Sequence, residues 1–239
     1  MRFLEIVPPP SKLEYVNLYM YILTESGLTL HTEWVRGPRG SEGLICMTVR
    51  TPRARLSHLG FYVKDLDAQA DFYKRVFRLV ETDRGVSGAG DPIVFLTGDS
   101  AEHHQLVLTA GLPDDASRTW LNQVSFRVGS LEELQTFHAW LGECGVAPSA
   151  TVSHGNAWSI YFPDPETNNV EVYATSPWYV PQPFRIPIDL TRPVDELLAE
   201  TYESVKDNGS FTPVEEWAHD IETRLQADAP MPQGSQSRS

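Results

Sequence analysis

Leu56-Ser57-His58-Leu59-Gly60-Phe61-Tyr62-Val63 and, 65 residues further on, Leu121-Asn122-Gln123-Val124-Ser125-Phe126-Arg127-Val128 are two copies of one pattern. Each alternates apolar and polar side chains, so each reads as a strand with one apolar face. Leu59, Phe61 and Val63 fall opposite Val124, Phe126 and Val128 in the shifted register. The other face carries His58, Gly60 and Tyr62 in the first copy and Gln123, Ser125 and Arg127 in the second. A repeat of this size is a duplicated structural unit.

The register continues beyond the strands. Leu66 matches Leu131 and Phe72 matches Phe137. Both copies then change to helical spacing, with Leu66, Ala70, Tyr73 and Phe77 in one and Leu131, Leu134, Phe137 and Leu141 in the other. Asp65 is placed to cap the first helix, and Ser130-Leu131-Glu132-Glu133 is a capping box for the second. Gly145 is positioned as the C-terminal cap of the second helix. Three strand-like runs follow each helix: Leu79–Val86, Pro92–Thr97 and His104–Thr109, then Pro148–Ser153, Trp158–Phe162 and Asn169–Ala174. Gly and Asp clusters separate them as turns require. The expected fold is α+β, with two paired βαβββ modules (about 56–111 and 121–176) forming an open, barrel-like curved mixed sheet around a cleft.

Bulk properties narrow the function classes. The chain has 239 residues with 19 basic and 32 acidic side chains, a net charge of −13. That balance argues against nucleic-acid or anionic-membrane binding, because phosphates need a basic surface. No apolar run is long enough to span a bilayer. The two cysteines, Cys46 and Cys144, form no CxxC motif, which suits a reducing cytoplasm. Residues 1–46, with Pro8-Pro9-Pro10, show no relation to the repeat and read as an N-terminal extension upstream of a start at Met47. Residues 191–228 read as an acidic helical segment, and 229–239, rich in Pro, Gln, Gly and Ser, as a disordered tail.

Polar side chains on the inner faces of the strands converge in such a fold. His58 and its mate Gln123 stand on the first strands. In Asn169-Val170-Glu171-Val172-Tyr173, Glu171 alternates with valines and so points to the groove side. A carboxylate inside an apolar strand is costly unless it is paired or metal-bound; the pattern alone leaves open a metal ligand, a Glu hydrogen-bonded to a core partner and a Glu facing solvent. Of the adjacent His103 and His104, one faces the groove and one faces outward, and His104 is the inward candidate.

His58-Leu59-Gly60-Phe61-Tyr62-Val63-Lys64-Asp65 resembles the opening of a vicinal oxygen chelate module. Ser159-Ile160-Tyr161-Phe162-Pro163-Asp164-Pro165-Glu166, with Val170-Glu171-Val172-Tyr173, resembles its closing pair of strands. The run Ser176-Pro177-Trp178-Tyr179-Val180-Pro181-Gln182-Pro183 is similar to the segment that follows in catechol 2,3-dioxygenase-like members. The resemblance covers about residues 54–190. It implies an extradiol-type dioxygenase that opens a catechol-like vicinal diol with O₂, in which two His and one Glu hold Fe(II). On this chain the metal ligands fall on His58, Gln123 and Glu171. Gln123 departs from the pattern, since a neutral amide oxygen is a weaker ligand than imidazole and lowers the expected Fe(II) affinity. Mn, Zn or Ni are the alternatives, as is absence of metal.

The resemblance also assigns His104 and Tyr161 as catalytic residues, His104 exchanging protons with the diol. It places His154 at a polar rim position, and Trp158 and Trp178 in the apolar wall. It implies a small aromatic substrate and O₂ as partners and self-association into a homo-oligomer. The competing readings are another metal-dependent member of the same superfamily (isomerase, lyase or hydrolase), and a non-catalytic small-molecule binding protein.

Overall fold

A computed structural model describes residues 54–113, 115 and 121–227 of the chain. The expected N-terminal extension and the 229–239 tail lie outside the described residues.

Module one runs β1 (Leu59–Val63), α1 (Leu66–Phe77), β2 (Val80–Val86), β3 (Pro92–Thr97) and β4 (Leu106–Ala110). Its sheet has the order β1-β4-β3-β2, with β1 parallel to β4 and the other pairs antiparallel. Module two repeats the plan with β5 (Val124–Arg127), α2 (Leu131–Glu143), β6 (Ala150–Ser153), β7 (Ala157–Pro163) and β8 (Asn169–Thr175). Here β5 is parallel to β8, and the order β10-β6-β7-β8-β5 adds a short strand, β10 (Ile186–Pro187). The fold is α+β with two open mixed sheets. The single curved sheet expected from the repeat is divided in two, because β1 and β5 each end their own sheet.

Both helices start where the sequence places them. The Asp65 carboxylate accepts from Ala68 N at 3.0 Å, and Ser130 Oγ accepts from Glu133 N at 3.2 Å. Gly145 takes φ +68° after α2, and Val146 N donates back to Leu141 O at 2.9 Å, a left-handed stop. The first strands begin later than the alternation suggests: β1 at Leu59 and β5 at Val124, so His58 and Gln123 sit one residue before their strands.

The modules are joined by aromatic packing. Phe77 at the end of α1 stacks on Phe126 of β5 at 3.8 Å and lies against Phe137 and Phe162. Such pairs contribute about 0.5–1.5 kcal/mol each beyond burial. The Trp140 indole donates to Val76 O at 2.9 Å across the two helices. The turn between β7 and β8 completes the join. Glu166 Oε1 accepts from Lys64 N at 2.7 Å and Asp65 N at 2.8 Å, placing an anion at the N-terminus of α1. Beside it, Tyr73 donates its hydroxyl to buried Asp164 at 3.2 Å. The Pro163–Glu166 stretch therefore clasps one module to the other.

Beyond the duplication, β9 (Trp178–Tyr179) pairs with β11 (Thr212–Pro213), and two helices follow, α3 (Val194–Val205) and α4 (Val214–Ala227). Among the described residues no helix is long and apolar enough to cross a membrane.

Candidate functional site

Strand register assembles the module-two site. Ser125 of β5 and Tyr161 of β7 are both direct partners of Glu171 on β8, so three polar side chains stand in one row across the sheet. The alternation that sends Val170 and Val172 into the core sends Glu171 to the opposite face, where it is only 7% exposed. Its Oε1 accepts from the Tyr161 hydroxyl at 2.6 Å. Its Oε2 accepts from Ser125 Oγ at 2.6 Å and from Gln123 Nε2 at 3.1 Å. The two shorter contacts are charge-assisted hydrogen bonds. Burial first, then the bond to Glu171, pushes the Tyr161 hydroxyl up to about 12. The Arg185 guanidinium lies 5.3 Å from the Tyr161 ring centroid.

His154 extends this row. Its Nδ1 lies 2.8 Å from Phe184 O, which only accepts, so Nδ1 carries a proton. Its Nε2 is 3.0 Å from the Tyr161 hydroxyl. Tyr161 has one proton for two neighbours. Both contacts are hydrogen bonds at once when the trio holds one further proton, on His154 or on Glu171. Gly155 makes the geometry attainable: it takes φ +73°, and a Cβ there would meet Val180 Cγ2 at 2.5 Å.

Module one gathers imidazoles instead. His58 and His104 meet edge-on with ring centroids 4.4 Å apart. Ser57 Oγ lies 2.9 Å from His58 Nδ1, leaving Nε2 as the presented nitrogen. His104 sits just before β4 rather than in it. Its neighbour Gln105 accepts from Leu59 N at 3.0 Å, which holds the start of β1 beside the His pair. His103 Nδ1 is 2.8 Å from His104 Nδ1, and His103 Nε2 is 2.7 Å from Asp83 Oδ2. Burial foremost, and then the neighbouring His58 and His103, holds the His104 imidazole below the ordinary histidine range.

The structure thus brings Gln123, Glu171, Tyr161 and His154 together, and separately His58 and His104. Among the described residues no hydrogen bond or ring contact joins the two groups, and no three His, Cys, Asp or Glu side chains form a ready metal cage. Two expected wall residues lie elsewhere. Trp158 is 2% exposed and donates its indole N–H to Thr201 of α3 at 2.8 Å, so it is core and anchors that helix. Trp178 packs on Tyr202 of α3, and Tyr179 stacks on Trp217 of α4, so this pair seats the C-terminal helices. Sequence reasoning passed over Ser125, Asp83 and His103. Ser125 was readable, two residues from Gln123 on the same face.

A divalent metal is tested by the chemistry of Glu171. Its hydrogen-bond partners are a phenol, an alcohol and an amide, all uncharged, so a buried carboxylate has no cation of its own. Gln123 meets it through nitrogen, which leaves Oε1 as the free end of the amide. One carboxylate and one amide oxygen match a divalent cation in donor type; His58, the imidazole expected from the sequence, lies in the other group of side chains.

The family model described as the glyoxalase/bleomycin resistance protein/dioxygenase superfamily matches residues 55–172, which include both groups of side chains. Residues 55–172 form a domain of this superfamily. Two curated relatives from Rhodococcus globerulus match the chain in part. Biphenyl-2,3-diol 1,2-dioxygenase 2 is 26% identical over 126 residues, 51% of this chain and 63% of the relative. Biphenyl-2,3-diol 1,2-dioxygenase 3 is 32% identical over 131 residues, 53% and 64% of the two chains. The chain thus spans less than two thirds of either relative. Among solved structures, the fosfomycin resistance protein FosX of Listeria monocytogenes, complexed with Mn(II) and sulfate, is 22% identical with a TM-score of 0.41, covering 52% of this chain and 95% of its own. A glyoxylase/bleomycin resistance protein/dioxygenase domain from Frankia sp. EAN1pec is 24% identical with a TM-score of 0.44, covering 52% and 100%.

Proposed function

We propose that this chain is an extradiol-type ring-cleavage dioxygenase that acts on a catechol-like vicinal diol through an atypical His58/Gln123/Glu171 metal site. One observation carries the reading: each end of the proposed ligand set has an acid–base side chain in direct contact, His104 against His58 and Tyr161 against Glu171. The two Rhodococcus relatives, both named as dioxygenases of an aromatic diol, support the same class.

The side chains divide the work. His58, Gln123 and Glu171 would hold an iron(II), which would supply the electron-transfer chemistry for opening an aromatic ring next to its diol with O₂. His104, held neutral by its surroundings, accepts a proton from a diol hydroxyl at its free ring nitrogen. The Tyr161 hydroxyl, kept protonated by burial and Glu171, orients the carboxylate through its one proton. His154 fixes that hydroxyl from the other side. Gln123 turns its amide to present Oε1, which releases one of the bonds on Glu171. The expected partners are a small aromatic diol and O₂, in the cytoplasm.

Metal content and oxygen uptake test this. After anaerobic Fe(II) loading, the protein is expected to retain iron and to consume O₂ with catechols such as 2,3-dihydroxybiphenyl. Gln123→His is expected to bind Fe(II) about ten-fold or more tightly than the parent, because imidazole replaces an amide. No retained metal and no uptake would remove the reading. A second reading, a metal-free small-molecule binding protein, is favoured by one feature: both oxygens of Glu171 are already met by the chain's own donors. Tight binding of a catechol without metal would select it.

A further inference from the structure

Asp83, His103 and His104 form a hydrogen-bonded line whose direction is set by chemistry. The Asp83 carboxylate only accepts, so His103 Nε2, 2.7 Å away, carries the proton between them. A neutral His103 then has its lone pair at Nδ1. That nitrogen lies 2.8 Å from His104 Nδ1, so His104 must donate there. His104 is left with its proton on Nδ1 and its lone pair on Nε2. From this geometry we infer that Asp83 and His103 are positioning residues, which lock His104 in the tautomer whose basic nitrogen is Nε2.

Other features of the fold support the arrangement. Asp83 follows a register shift between Glu81 and Asp83 in β2, which breaks the strand's alternation next to this line. Asp83 pairs with Phe95 of β3, whose ring packs against both His103 and His104 at 5.8 and 5.1 Å. Asp83 and His103 are both more than half exposed, at 66% and 56% of their side chains, so the pair offers orientation rather than a strong ion pair. Isolated imidazole side chains favour the opposite tautomer, with the proton on Nε2. An orienting partner on the far nitrogen is the usual means of reversing that preference. The inference rests on the proposed role of His104 as a proton acceptor; the tautomer itself does not.

The test uses the full chain labelled with ¹⁵N-histidine, as purified and again after chelation, at a pH where His104 is neutral. Two-bond ¹⁵N–¹H correlations read the tautomer directly. His104 is expected to carry its proton on Nδ1 in the parent, to change to Nε2–H in His103→Phe and Asp83→Ala, and to keep Nδ1–H in His103→Asn, whose amide oxygen still accepts. An Nε2–H tautomer in the parent, or an unchanged tautomer in His103→Phe, would overturn the inference. In oxygen uptake on a catechol, His103→Phe is expected to lower kcat about ten-fold, the lower range for loss of an orienting partner, with KM within about two-fold of the parent and His103→Asn restored. A fall in KM-dependent binding alone would also overturn it. Absence of turnover in every form, with the tautomer as expected, would count against the dioxygenase reading and not against the line of hydrogen bonds.

Discussion

The two modules share a backbone and differ in one row of side chains. In module two the row is Ser125, Glu171 and Tyr161. The equivalent row in module one is Gly60, Val107 and Phe95. One copy has a carboxylate with two hydroxyl donors where the other has an apolar floor. The histidines near the strands are distributed the opposite way, with His58, His103 and His104 in module one and His154 in module two, whose other histidine, His138, lies on α2. Aromatic residues of the core face have been kept: Phe61 and Phe126, Phe72 and Phe137. Duplication fixed the frame through its core face, and the polar face was free to specialise, one half supplying charge and the other imidazoles.

Changing the row is the strongest way to break this contrast. Glu171→Ala is expected to abolish metal retention, a loss of more than about 100-fold in affinity read by calorimetric titration, since it removes the one carboxylate of the proposed ligand set. Tyr161→Phe, which gives module two the aromatic of module one, removes the hydroxyl that donates to Glu171 Oε1 and that lies against His154 Nε2. It should destabilise the protein by about 1–3 kcal/mol, read from denaturant midpoints. Gly155→Ala asks the turn after His154 to hold φ +73° with a methyl group against Val180. A cost of about 1–3 kcal/mol is expected, together with a weakened contact between His154 and Tyr161.

The smallest effect sharpens the contrast from the other side. In the parent, NMR titration should place the His104 midpoint below the ordinary 6.5 of histidine, so the ring stays neutral further into acid. His58→Gln removes the electrostatic contribution of His58 and should raise that midpoint part of the way. Burial is the larger cause and remains. A full return to 6.5 would show that charge, not burial, sets it.

Much of the frame was readable from sequence. Period-two and helical patterns placed both helices and most strands within two residues, because each element has one strongly apolar face. Strand starts were overestimated at His58 and Gln123, since alternation continues past the last ladder hydrogen bond. Glu171 was legible from its flanking valines. The link between His154 and Tyr161 was not, because it crosses a hairpin whose turn depends on Gly155. Asp83 escaped because the bulge in β2 breaks the alternation that would have aimed it. Trp158 was misassigned although the pattern held the answer: Trp158, Ile160 and Phe162 alternate on the core face, opposite Tyr161.

We propose that the two dissimilar faces work as one metal-dependent dioxygenase site. Oxygen uptake on 2,3-dihydroxybiphenyl after anaerobic Fe(II) loading, run beside Glu171→Ala and His104→Phe, tests it most directly. Uptake is expected in the parent, lost in Glu171→Ala and reduced in His104→Phe with iron still bound. Uptake that survives in Glu171→Ala, or a parent that holds iron and leaves every catechol untouched, would contradict it.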